Sequence, residues 1–156
     1  MTIFECPRKI GHLLCILCSS LIYGLAAEMA FAGHELFGRD IQQGVRLYQE
    51  HCAACHGVAL EGQPNWRRRN DDGTYPAPPH DETGHTWHHD NAFLFNYTKL
   101  GGAEVMRQME IKNFQSGMEG FANTLTDDEI WNILGYIRST WSSRAQKFQN
   151  SKNLPH

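Results

Sequence analysis

The sequence has few cysteines, and only two of them, Cys52 and Cys55, lie beyond residue 32. A four-cysteine zinc site is therefore excluded for that part of the chain, and a mixed site would have to recruit distant histidines. A disulfide between these two residues would be a poor staple because it closes almost no loop. The formal net charge is only −3, which gives no support for nucleic-acid binding. We find no internal repeat, and no nucleophile and general base in a catalytic arrangement.

The first 32 residues have the pattern of a secretory signal peptide. Arg8 and Lys9 precede an apolar run over residues 10–27, and Ala30-Phe31-Ala32 has the small-x-small form that signal peptidase accepts. We expect cleavage after Ala32 and export to the periplasm. The apolar run is also long enough for the alternative of an uncleaved anchor at the periplasmic face of the inner membrane, since a span needs roughly 17–25 residues. The rest of the chain suggests one domain.

The remaining cysteines belong to the motif C-x-x-C-H, formed by Cys52, Cys55 and His56. Such a motif is compatible with part of a metal site or with a thioredoxin-like redox pair in a βαβ setting. It is also compatible with c-type haem, which uses both thiols as thioethers and the histidine as an axial iron ligand. Export and the lack of further thiols favour haem, because c-type haem is attached in an oxidising compartment.

Hydrophobic periodicity predicts four helices, which makes the fold class all-α. Asp40 is a predicted N-cap with Gln43 three residues on, and Thr126 with Glu129 forms a capping box before the last helix. We predict helices over residues 40–50, 90–100, 103–111 and 127–141. Residues 57–89 are rich in Gly, Pro, Asn and Asp and are predicted to be a long loop that wraps a cofactor. Residues 142–156 are predicted to be a polar, frayed C-terminal tail.

Residues 38–141 resemble the class I c-type cytochromes of bacteria. The resemblance rests on a first helix with Gly44 and Tyr48, the C-x-x-C-H motif, a downstream methionine and a last helix with "ILGYI". It implies a domain over residues 33–141, in which short helices and long loops surround one covalent haem c. It also implies that Gly44 and Tyr48 meet Ile133 and Tyr136 where the first and last helices cross.

The same resemblance implies the residues that hold the haem. Cys52 and Cys55 would form the thioethers, and His56 and a methionine would be the axial ligands of the iron. Met118 is the expected methionine, because it lies in an irregular, glycine-flanked stretch just before Phe121 and the last helix. The family usually has proline where this chain has Glu119. Met106 and Met109 lie at helical spacing and are predicted to fill the core.

A stretch rich in proline and histidine, residues 76–90, gives further candidates near the haem. Pro78 or Pro79 is expected to offer its carbonyl to the axial histidine and fix its tautomer. Three interpretations stay open for Trp87 and the histidines around it: hydrogen bonds to the haem propionates, with Trp87 and His88 as candidates, a second metal site such as copper, or a polar surface loop. These histidines are His80, His85, His88 and His89.

The function that this pattern favours is electron transfer by a mono-haem cytochrome, which is not an enzyme. Its partners would be redox proteins such as a dehydrogenase, an oxidase or another cytochrome. One alternative is a haem enzyme or gas sensor with an open sixth site, and another is a haem–copper accessory protein that uses the loop of His80 to His89. The run Arg67-Arg68-Arg69 is either a solvated loop or a surface that steers an acidic partner.

Overall fold

The computed structural model describes residues 35–153, so the predicted signal peptide lies outside the described residues. Within this range the chain forms helices and no strands, which confirms the all-α prediction. The helices are α1 (Ile41–His51), α2 (Ala53–His56), α3 (Asn91–Leu100), α4 (Gly102–Gln108), α5 (Asp127–Ser139) and α6 (Ser143–Asn150), with short 3-10 helices at Thr86–His88 and Ser151–Asn153. No helix between residues 35 and 153 is long and apolar enough to cross a membrane.

The most extensive helix contact is the crossing of α1 and α5. A side chain on Gly44 would overlap the carbonyl oxygen of Asn132, so the two backbones approach closely only because this residue is glycine. Tyr48 is completely buried, and its ring meets the edge of Tyr136 with 5.5 Å between centroids. The predicted contact with Tyr136 is therefore confirmed, whereas the nearest atoms to Gly44 belong to Asn132 instead of Ile133.

Asn132 also fixes the beginning of α1. Its Oδ1 accepts a hydrogen bond from the backbone N–H of Asp40 at 3.1 Å, and its Nδ2 donates to Oε1 of Gln43 at 2.6 Å. The Asp40 side chain caps α1 by accepting from the backbone N–H of Gln43. The Gln43 side chain therefore joins α1 to α5 through this hydrogen bond with Asn132. Ile41, the first residue of α1, is 37% exposed.

The other helices begin close to their predicted starts. Asp90 caps α3, and Thr126 and Glu129 form both hydrogen bonds of the capping box before α5. The third predicted helix is shorter than expected, because α4 ends at Gln108 and Glu110 has a left-handed backbone with φ of 57°. Met109 is 53% exposed as a result, so the prediction that it fills the core is wrong. Met106 is half-buried.

The C-terminal tail was expected to be frayed from Ser142, and this is wrong for residues 142–153, the part of the tail that the structure describes. Ser142 caps α6, and Ala145 and Gln149 are buried one helical turn apart. The Nε2 of Gln149 donates to Oδ1 of Asn91 at 2.6 Å, which attaches α6 to the beginning of α3. Glu82 of the long loop accepts hydrogen bonds from the backbone N–H and the hydroxyl of Ser142. These long-range contacts stabilise a polar segment that its composition alone would leave disordered.

Candidate haem site

The C-x-x-C-H motif lies at the junction of α1 and α2. The backbone N–H groups of Cys55 and His56 both donate to the carbonyl of Cys52, at 3.1 and 2.9 Å, so one tight turn groups the three residues. Cys52 is buried and Cys55 is exposed, and neither forms a disulfide. Burial, reinforced by Cys55, raises the pKa of Cys52 to about 12, which keeps this thiol protonated at neutral pH. Two reduced thiols beside one imidazole are the donor set that a covalent haem requires.

His56 is held in the form that can bind iron. Its ring is 7% exposed, and its Nδ1 lies 2.9 Å from the carbonyl oxygen of Pro78. Because a carbonyl can only accept, Nδ1 must carry the proton, which leaves a lone pair on Nε2. Burial lowers the pKa of His56, opposed in part by the hydrogen bond to Pro78, so the ring is neutral at pH 7.

Of the two prolines named from the sequence, Pro78 is therefore the partner of His56. Pro79 is buried, and its carbonyl accepts a 3.4 Å hydrogen bond from the hydroxyl of Thr86. The segment is held in place because the backbone N–H of His80 donates to the carbonyl of Leu60 at 2.8 Å. Gln63 and Ala77 are also joined, because the N–H of Gln63 donates to the carbonyl of Ala77 and the N–H of Ala77 donates to Oε1 of Gln63. Residues 64–76 therefore form a separate smaller loop within the long one.

Met118 is half-buried in the loop between α4 and α5. Its backbone N–H donates to the hydroxyl of Ser116, and its carbonyl accepts from the N–H of Gly102, each at 3.1 Å. Three residues on, the ring of Phe121 meets the edge of His51, the neighbour of Cys52, at 6.2 Å between centroids. The methionine loop is thus attached both to α4 and to the end of α1 that leads into the motif. The sequence analysis did not identify Ser116, although a serine hydroxyl that accepts from the backbone N–H two residues further on is a common turn motif.

The histidines of the long loop are divided between two places. His80 lies against His56, with 4.1 Å between ring centroids. Trp87 and His88 stack on one another at 3.7 Å, and both meet Phe148 of α6. Their predicted role toward the haem propionates stays a prediction.

The structure gives no support to a second metal site. Within residues 35–153, no group of three or more His, Cys, Asp or Glu side chains is arranged to hold a metal ion. His85 lies between Trp66 and His89, whose ring centroids are 5.6 and 5.3 Å away. His89 in turn stacks on Phe93 at 4.3 Å. Among the described residues, Cys52 and Cys55 likewise belong to no such group, and there is no strand, which a thioredoxin-like βαβ setting would need.

Two of the three consecutive arginines are used within the loop. The guanidinium of Arg67 lies 3.9 Å from the ring centre of Trp66, and that of Arg69 lies 5.0 Å from the ring centre of Tyr75. The Nε of Arg69 also donates to the Tyr75 hydroxyl at 3.0 Å. Cation–π contacts of this kind hold a loop together. The exposed Arg68 is the better candidate for a contact with a partner.

Comparison with known proteins agrees with this geometry. The model of the cytochrome c family matches residues 41–141, more than half of the chain. No curated protein and no solved structure matches. The matched range begins with α1 and ends after α5, so it contains the helix crossing, the C-x-x-C-H motif and the methionine loop. The chain therefore belongs to the cytochrome c family and is a class I c-type cytochrome, a haem-containing electron carrier with one covalently attached haem c.

Proposed function

We propose that this protein carries single electrons between exported or membrane-bound redox proteins, with His56 and Met118 as the two axial ligands of its haem iron. The observation that carries the proposal is the pairing of His56 with Pro78, because it leaves the buried imidazole neutral with a lone pair on Nε2. The haem, when bound, supplies an iron centre that accepts and releases one electron. The chain's own part is to tether the haem, to orient its ligands and to keep water away from it.

Cys52 and Cys55 are the proposed tethers. Their thiols are unpaired and lie one turn apart, as two thioether bonds to one flat group require. Cys55 is exposed and Cys52 is buried, so one proposed thioether lies at the surface and the other in the core. A haem attached by these two bonds would also stabilise a small domain, because it supplies apolar surface on which the core packs.

Met118 is the proposed sixth ligand. Its loop is attached to α4 through Gly102, and Ser116 joins it to the hydroxyl of Tyr97 in α3 at 3.4 Å. A loop anchored in this way can hold a thioether in one place. Glu119, which replaces the usual proline, is exposed and leaves these backbone contacts intact. A methionine ligand raises the reduction potential, since the soft sulfur favours ferrous iron.

The exported location and the partners belong to the same proposal. Family members are typically exported, and the predicted signal peptide agrees with the periplasm. Redox encounters bury little surface and depend on charge. The exposed Arg68 supports an acidic partner surface, whereas Arg67 and Arg69 are used in folding the loop.

Carbon monoxide binding separates the electron carrier from an open-site enzyme or sensor. We expect the ferrous protein to react slowly or not at all at neutral pH, because Met118 occupies the sixth position. Fast, stoichiometric binding in the native protein would contradict the proposal and favour the open site. Copper analysis of the same sample tests the haem–copper accessory alternative. We expect no stoichiometric copper, and one equivalent per protein would favour that alternative.

A further inference from the structure

His80 lies directly against the imidazole that is expected to bind the iron. The rings of His80 and His56 are stacked, with centroids 4.1 Å apart and planes inclined by 23°. His80 also meets the buried ring of Tyr48 edge-on, with 6.1 Å between ring centroids. A polar ring at this position is unexpected, because an apolar side chain would fill the same space without a need for hydrogen bonds.

Three separate parts of the chain fix the position of His80. Its backbone N–H donates to the carbonyl of Leu60 at 2.8 Å, and its own carbonyl accepts from Nε1 of Trp141 at 2.8 Å. Its ring nitrogen Nδ1 lies 3.0 Å from the hydroxyl of Thr86. The backbone bonds place the residue, and the bond to Thr86 prevents the ring from turning about its own side-chain bonds.

The hydroxyl of Thr86 also lies 3.4 Å from the carbonyl of Pro79, to which it can donate, and its oxygen can then accept from Nδ1–H of His80. The hydrogen-bond partners of His56 and His80 thus both belong to the segment that runs from Pro78 to Thr86.

The bond from His56 to Pro78 alone does not define the orientation of the His56 ring. A hydrogen bond tolerates a range of angles, so the ring can still tilt through small changes in its two side-chain torsions. A flat, immobile ring stacked on one face restricts that tilt. We infer that His80 is a positioning residue that sets the plane of the axial imidazole. This inference rests on the proposed role of His56 as an iron ligand.

Substitution of His80 in the haem-loaded protein tests the inference. His80→Leu keeps an apolar side chain of similar volume but removes the flat ring, whereas His80→Phe keeps a flat ring. The readout is the pattern of haem-methyl resonances in the NMR spectrum of the oxidised protein, because that pattern depends on the plane of the axial imidazole. A merely structural role would lower the melting temperature without changing the pattern.

We expect His80→Leu to change the order or spread of these resonances and to shift the reduction potential, and His80→Phe to keep the wild-type pattern. A wild-type pattern in His80→Leu would overturn the inference, as would equal changes in the Leu and Phe variants. If His80→Leu does not fold, Thr86→Val keeps the ring but removes its anchor, and a wild-type pattern in that variant would also contradict the inference. The methionine-to-iron band should persist in every variant; its absence from the wild type would instead count against the proposed function.

Discussion

At the scale of the residue, the fold depends on side chains that are so small or so polar that their residue type alone would not predict them to be buried. Gly44 is the clearest example, because it lies within a helix, where glycine costs about 1 kcal/mol relative to alanine. The cost is offset by the close approach of α1 and α5 at Asn132. The sequence indicated a close approach at Gly44, but it could not show that the backbone of Asn132 would be the neighbour.

Gly44→Ala should destabilise the protein despite the better helix propensity of alanine. The new methyl group would overlap the Asn132 carbonyl and force the helices apart, which typically costs about 1–3 kcal/mol. Gly117→Ala is a matched control, since a methyl group there would meet no atom within 4 Å. Denaturant unfolding of the haem-loaded proteins measures both free energies. Equal stability of Gly44→Ala and the wild type would contradict the account of the crossing.

Two histidines of the long loop should make stability depend on pH. Burial lowers the pKa of His85 below its usual 6.5, aided by His88 and Arg67. Burial also lowers the pKa of His89, aided by His85, His88 and Lys152 and opposed by Asp90. Because the unfolded chain then binds protons at a higher pH than the folded protein, stability should be full above about pH 6.5 and fall as the pH decreases toward the folded pKa values.

The double variant His85→Gln/His89→Gln isolates this contribution. Its free energy of unfolding should fall less than that of the wild type between about pH 7 and pH 5. Other acid-sensitive groups, including His80, contribute equally to both proteins and cancel in the comparison. Parallel pH profiles would show that these two side chains are not desolvated in the folded protein.

At the scale of the element, the helices with strong local signals were predicted well. The N-caps Asp40, Asp90 and Thr126 act within one turn of themselves, so their positions follow from the sequence alone. Helix α6 was missed because its buried face consists of Ala145 and Gln149, which carry almost no hydrophobic signal. The order of that segment comes from partners that are distant in sequence, namely Glu82 and Asn91.

Gln149→Ala should show that α6 is an integral part of the fold. The change removes the 2.6 Å hydrogen bond to Asn91, which is buried and would lose this partner. We expect a loss of about 1–3 kcal/mol in the free energy of unfolding. Arg144→Ala, at an exposed position of the same helix, should change it by less than about 0.5 kcal/mol. Two equally small effects would mean that α6 contributes little to stability.

At the scale of the whole molecule, the crossing of α1 and α5 forms the scaffold for the candidate haem ligands, of which His56 is the last residue of α2 and Met118 lies in the loop between α4 and α5. The loop after His56 is joined to the C-terminal region by the bond from Trp141 to the carbonyl of His80. The methionine loop is joined to the end of α1 by Phe121 and His51. The motif and Met118 could be named from the sequence because they are local patterns. The choice of Pro78 over Pro79 and the stack of His80 could not, since they depend on how a long loop folds back.

The central claim is that Met118 completes the coordination of the iron opposite His56, and near-infrared spectroscopy of the oxidised protein tests it most directly. The wild type should show the methionine-to-iron band, Met118→Ala should lose it, and the reduction potential of that variant should fall because the thioether favours ferrous iron. Met109→Ala is the matched control and should keep both properties, since Met109 is 53% exposed at the end of α4. A band that persists in Met118→Ala, or that is absent from the wild type, would contradict the claim.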